Sequence, residues 1–204
     1  QSTYYKLLPS IKPPQKILNQ EKSSSALIFY WGVDGEHSDL DVHNILFSAD
    51  YEQEFIALKN GKVIDDPTVY IYISKKHIPS DAPSQAENWF VMINVPHDSG
   101  QDWNKIVEKT KENVFAKVES MLDISLNDKI QFEQVWTPKG IESDTSSYAG
   151  ALYGNASNSP FSSFFRHSER NASLKNLRFV GGGGHPGGGV PLCILSAQIA
   201  VASF

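Results

Sequence analysis

The sequence is short of several things, and each shortage removes a class of function. It has one cysteine, Cys193, in 204 residues. That excludes an internal disulfide and a cysteine-rich metal site, and it fits a reducing compartment. No Cys-x-x-Cys or His-Glu-x-x-His occurs, so no metal centre is expected. No nucleophile elbow with Ser, His and Asp partners occurs either. No apolar run reaches the roughly 18–20 residues that would span a bilayer, and no signal peptide is visible. Positive charge is not in excess: the net charge is −5, which argues against a nucleic-acid binder. There are no internal repeats, and no strand–Gly-x-Gly-x-x-Gly–helix unit of a dinucleotide fold appears anywhere.

What is present is ordinary in bulk: 40% hydrophobic and 20% charged residues. A chain of this length buries roughly two thirds of its unfolded surface. The unusual stretch is Leu177 to Phe204, LRFVGGGGHPGGGVPLCILSAQIAVASF. Leu177, Phe179 and Val180 have strand character. Gly181 to Gly189 then holds seven of the fourteen glycines. Val190 and Pro191 open an apolar helix, where a proline in the first turn loses no hydrogen bond. Strand, glycine loop and helix start together let backbone N–H groups approach an anion or carbonyl, with the positive end of the helix dipole behind them. A flexible linker is the alternative, but a linker needs neither flank.

Upstream, residues 1–22 form a polar lead-in in which Pro9, Pro13 and Pro14 forbid a long helix, and Leu7, Leu8 and Ile11 are expected to pack on whatever precedes them. Strands are expected over Ser23–Val33, a central one closed by Gly32 and Gly35, and over His43–Phe47, Thr68–Ser74, Asn88–Val95 and Lys129–Val135. Asp50–Leu58 reads as a short helix capped by Asp50, with Phe55 and Leu58 inward. Asp102–Leu122 is the clearest helix, with Trp103, Val107, Val114, Val118 and Met121 on one stripe. Thr137-Pro138 looks like another helix start. Phe161, Phe164 and Phe165 are too apolar for a free loop. The short connections predict a mixed α+β piece, a largely antiparallel or mixed sheet with helices on one side.

The residues VGGGGHPGGGVPLCILSAQIA resemble the C-terminal signature of the phytoene-desaturase-type, FAD-dependent carotenoid desaturases. The segments FYWGV, HNILFS, ENWFVMIN and GALYG are similar to the same family, nearest its hydroxycarotenoid 3,4-desaturase branch. Gly184 departs from it, standing where members commonly carry Thr. The resemblance implies an α/β flavoprotein of the glutathione-reductase type. Residues 1–150 would be mostly the substrate-binding domain, and 151–204 would complete the FAD domain. With Gln rather than Met at position 1 and no Gly-x-Gly-x-x-Gly unit, the chain is expected to be the C-terminal part of a longer protein whose N-terminal Rossmann unit is absent.

The resemblance also implies roles. FAD is the cofactor: the Val190 amide and Pro191 helix start face the flavin, Gly188 and Gly189 pass its ring edge, and Gly181, Gly182 and Gly183 lie near the ribityl and pyrophosphate. The activity is hydride transfer from an allylic carbon of a (hydroxy)carotenoid to flavin N5. A carotenoid isomerase or retinol-saturase-like enzyme is the alternative, as is a non-catalytic lipid-binding module. The substrate dissolves only in lipid, so peripheral attachment to the cytoplasmic face of a membrane is expected. Tyr30, Trp31, Trp89 and Tyr153 could line a polyene tunnel or be core. His185 is either a proton relay or a residue fixing the turn before Pro186. Arg166, His167, Glu169 and Arg170 form either a surface ion-pair cluster or an anchor in which Arg170 holds the loop or a phosphate. Cys193 reads as a small core residue. No residue stands out as a general base.

Overall fold

Alternation of side chains at period two decides which face of a strand is buried. Four of the strands here obey it closely enough to build one two-faced sheet. The structure, a computed structural model, describes residues 1–156, 158, 166–171 and 174–202. Its main elements are, in chain order, α1 (Ser2–Leu7), α2 (Gln15–Leu18), β1 (Ser25–Asp34), β2 (His43–Leu46), α3 (Tyr51–Lys59), β3 (Val69–Ile73), β4 (Ala86–Val95), α4 (Trp103–Leu122), β5 (Ile130–Trp136), α5 (Pro138–Thr145) and α6 (Val190–Ala202). The chain divides into two compact units, 25–140 and 1–24 with 141–204. The sequence reading had divided it near residue 150.

The unit 25–140 is a five-stranded sheet of order β2-β3-β4-β1-β5. All four pairings are antiparallel. The mixed α+β expectation therefore holds, in its fully antiparallel form. One face of the sheet is core: Phe29 and Trp31 of β1, Ile71 of β3, and Val91 and Ile93 of β4 are buried with Val114 and Val118 of α4. The β1 strand is interior, paired on both sides as its two-sided apolarity predicts, although β4 is the middle strand, and Gly32 lies inside β1 rather than closing it. Asp102 caps α4 by accepting from the Lys105 amide at 3.4 Å, and Asp123 ends it in the left-handed region. Thr110 and Lys117 join the buried stripe of α4, whereas Met121, assigned to that stripe from its spacing, is exposed.

Another inward assignment is corrected. In α3 the side chain turned inward is Glu54, not Phe55, which is exposed. The Glu54 carboxylate accepts from the Thr68 hydroxyl at 2.6 Å and the Thr68 amide at 3.2 Å, so the helix is held by polar contacts at the start of β3. In the lead-in, short helices form on either side of the prolines, and Tyr4 and Leu18 are buried while Leu7 is exposed.

In the unit 1–24 with 141–204, α6 forms where Val190-Pro191 predicts it. The expected strand before the glycines does not form. Residues 177–180 make a single bridge, Arg178 with Arg170, and the Phe179 amide donates to the Glu169 carbonyl at 2.8 Å. With no neighbouring strand among the described residues, its apolar character has no sheet to join. Phe161, Phe164 and Phe165 lie outside the described residues.

Candidate functional site

The glycine loop is shaped by its own backbone. The Gly184 amide donates to the Gly181 carbonyl at 3.1 Å, and the Cys193 amide to the Gly189 carbonyl at 2.9 Å. Gly181 and Gly189 have φ of 108° and 101°, a region that other residues rarely enter. The Gly181 amide donates to the hydroxyl of fully buried Ser196, which ties the loop to the first turns of α6. The amides of Gly182, Gly183, Gly188, Gly189 and Val190 make no hydrogen bond to a described residue. They are the bare donors that the pattern anticipated, beside the N-terminus of a 13-residue helix. This donor set fits an anionic or carbonyl-bearing ligand edge.

What holds the loop is Arg166, not Arg170. The buried Arg166 guanidinium donates through Nη1 to the carbonyls of Tyr153 (3.0 Å) and Gly182 (2.9 Å) and through Nη2 to that of Asn155 (3.2 Å). Burial lowers its pKa from the usual arginine value. Arg170 is exposed and meets the loop's lead-in through the bridge to Arg178. Tyr153 belongs to this loop as well. Its ring lies so close to Gly188 that a β-carbon there would come within 2.5 Å of Cδ1. His185 donates from its amide to the His167 carbonyl at 2.9 Å, and the His185–Pro186 peptide is cis.

Sequence reasoning missed a histidine–tyrosine pair beside the loop. The His167 Nδ1–H donates to the Ser168 carbonyl at 2.6 Å, which leaves Nε2 to accept from the Tyr4 hydroxyl at 2.7 Å. The Phe179 ring packs on both, 5.3 Å from Tyr4 and 4.5 Å from His167. Burial depresses the His167 pKa and raises that of Tyr4. Both line a cavity of about 350 Å³ with Gly182, Gly183 and Gly184. Nothing in the lead-in marked Tyr4 over its neighbour Tyr5, because two adjacent aromatics in a six-residue helix show no periodicity.

The second candidate lies on the open face of the sheet. Strand register aligns a transverse row of side chains, His43, Tyr72, Phe90, Tyr30 and Gln134. Tyr30 meets Phe90 edge-on at 5.5 Å. Beside the row Gly32 pairs with Asn88 and Phe132, and the register of β5 shifts at that point. Such a bulge re-aims side chains, and Gln131 and Phe132 both border a cavity of about 530 Å³ with Tyr30, Tyr72 and Phe90.

Of the two readings of Trp31 and Trp89, tunnel wall or core, burial favours core: they are 2% and 1% exposed. They are cross-strand partners on the α4 side, where Trp31 meets Phe115 edge-on at 5.4 Å. Their indole N–H groups donate to Glu133 and Glu87, each at 2.8 Å. Glu87 is itself buried. Burial pulls its pKa up, but hydrogen bonds from Lys76 (2.6 Å), Trp89 and His37 (2.9 Å) outweigh that and hold it below the ordinary carboxylate value.

No family model matches the sequence. Individual proteins do. The chain is 55% identical over 198 residues to a 1-hydroxycarotenoid 3,4-desaturase of Flavobacterium sp. (strain P99-3), covering 97% of this chain and 41% of that protein. It is 31% identical to a 4,4'-diapophytoene desaturase (4,4'-diaponeurosporene-forming) of Staphylococcus haemolyticus, covering 94% and 39%. It is 32% identical to a phytoene desaturase of Neurospora crassa, covering 97% and 35%. The chain thus spans about two fifths of the length of the curated relatives it matches.

Proposed function

We propose, for a chain that belongs to the carotenoid desaturase family over almost its whole length, that it forms part of an FAD-dependent desaturase of hydroxylated carotenoids. The glutathione-reductase-type fold and the remaining dinucleotide cradle belong, on this reading, to the additional length that the relatives have. FAD, when bound, supplies the acceptor for an allylic hydride. This chain's own residues hold and polarise. The bare amides of Gly188, Gly189 and Val190, with the start of α6, stabilise negative charge on the cofactor edge. A helix terminus contributes roughly 0.3–1 kcal/mol when exposed and up to about 2 kcal/mol when partly buried. The amides of Gly182 and Gly183 serve its more distant polar groups. Arg166 keeps the loop in register for both tasks.

The sheet face in the other unit offers what a long flat hydrocarbon needs: a row of rings and a hollow with few free polar groups. Tyr30 is its central residue. A substrate soluble only in lipid places the working enzyme peripherally on the cytoplasmic face of a membrane. Among the described residues no helix is long and apolar enough to cross one.

The single observation carrying the reading is the set of unpartnered amides at the mouth of α6, in a chain 55% identical to a hydroxycarotenoid desaturase. The test is to purify the full-length protein, record its visible spectrum, and incubate it with a hydroxylated acyclic carotene. A flavin spectrum and a red shift of the carotene are expected. A flavin spectrum with unchanged chromophore length would mean isomerisation. A colourless protein that still retains the carotene would mean a binding module.

A further inference from the structure

The hollow on the open sheet face exists because Gly32 has no side chain. Its φ is unremarkable, so space rather than backbone freedom is what the glycine provides; a β-carbon there would sit 3.2 Å from that of Phe132. The walls are the rings of Tyr30, Tyr72, Phe90 and Phe132 and the edge of Pro83. Charged and amide groups reach this cavity, but they are already engaged. Asn88 accepts from the Lys75 amide at 3.1 Å and donates to Ser74 at 2.7 Å. Asp81 accepts from the Ser74 hydroxyl. Glu87 accepts from Lys76, Trp89 and His37. Gln131 is exposed to water.

That leaves two phenols. Tyr30 and Tyr72 stand on either side of Phe90 in the transverse row, each half-buried, and neither hydroxyl makes a hydrogen bond to a described residue. A pure hydrocarbon filling the hollow would strip water from these hydroxyls and give nothing back, which is costly in an apolar setting. A carboxylate would find no cation in the lining, and an ammonium would find only the exposed Asp81 at its edge, already held by Ser74. The complementary ligand is an apolar body with one neutral hydroxyl, able both to accept from a phenol and to donate to one.

We propose that this cavity seats the hydroxylated end of the polyene, with Tyr30 and Tyr72 as the specificity-determining residues that hydrogen-bond its alcohol. The proposal rests on the desaturase reading above. It also explains why discrimination can be large: a site whose phenols need a partner rejects the analogue that lacks one more strongly than a plain apolar slot does.

The test uses the full-length, flavin-loaded enzyme and two acyclic polyenes that differ only in a terminal hydroxyl. Tyr30→Phe and Tyr72→Phe keep each ring in place and remove only the oxygen. Each is expected to lower the preference for the hydroxylated polyene over the hydrocarbon, read as the ratio of their kcat/KM values, about three- to tenfold, and the double variant more. Gly32→Leu, which fills the hollow, is expected to weaken both substrates. An unchanged preference in a folded, active Tyr30→Phe/Tyr72→Phe enzyme would overturn this assignment and leave the desaturase reading standing. A wild-type enzyme that desaturates neither polyene would overturn the desaturase reading, and this inference with it.

Discussion

Replacing Arg166 by alanine removes three hydrogen bonds at once, to the carbonyls of Tyr153, Asn155 and Gly182. Bonds from a charged donor contribute about 1.5–3 kcal/mol each, so the gross loss is about 5–9 kcal/mol. The net loss is smaller. Arg166 borders a small hollow of about 240 Å³, through which water can reach the three abandoned carbonyls. Rehydration should recover about half, leaving a destabilisation of about 2–4 kcal/mol. For a protein of this size that lowers the melting temperature by about 5–15 °C. Thermal unfolding followed by circular dichroism reads the shift directly. Hydrogen exchange gives a local check, because the His185 amide, bonded to the His167 carbonyl next to Arg166, should lose protection. Arg166→Lys keeps the charge but not the fork, and should fall between wild type and alanine. A melting temperature for Arg166→Ala within about 1–2 °C of wild type, as for an ordinary surface substitution, would refute the view that this side chain holds the loop.

Three further perturbations follow from the same geometry. Gly188→Ala drives a β-carbon to 2.5 Å from the Tyr153 ring, so flavin retention should drop in the full-length protein, and adding Tyr153→Ala should restore part of it. Glu87→Gln leaves Lys76 and His37 facing a neutral amide in a buried site, and should cost about 3–5 kcal/mol in urea unfolding. The acid limb of stability should show Glu87 as well: its folded pKa is depressed, so its contribution is full above the ordinary carboxylate range and lost as pH falls through the folded value. Glu87→Gln should therefore flatten the dependence of the unfolding midpoint on pH below about 4.

Much of the fold was legible because strong local signals coincide with what tertiary packing needs. Strands β1, β3, β4 and β5 and helix α4 carry long periodic or β-branched runs, and Asp50, Asp102 and Thr137 stand where caps are needed. The Thr137 hydroxyl indeed accepts from the Gly140 amide at 3.3 Å. The errors have a common cause. Phe55 and Met121 read as inward because they are apolar, yet the inward positions are held by Glu54 and Lys117, whose hydrogen-bond partners, Thr68 and the Phe47 carbonyl, are remote in sequence. The Leu177–Val180 run had strand character but no adjacent strand among the described residues to pair with. The glycine run and the helix behind it could be read directly, since the positive φ at Gly181, Gly187 and Gly189 favours glycine. Its clasp could not: Arg166 and Arg170 are indistinguishable in a charged turn, and only the fold decides which one reaches three carbonyls. Trp31 and Trp89 were grouped with Tyr30 by type, whereas strand parity sends them to the opposite side.

That parity has a consequence for how such a protein can diversify. Along β1 the letters of two messages are interleaved: Phe29, Trp31 and Val33 write the interior, while Tyr30 and Gly32 write the wall that a ligand would meet. A change in one set scarcely touches the other, since the backbone plane stands between them. A library that varies positions 30, 32, 72, 90 and 132 and leaves their odd-facing neighbours alone should therefore retune which molecule fits without eroding the scaffold that presents it.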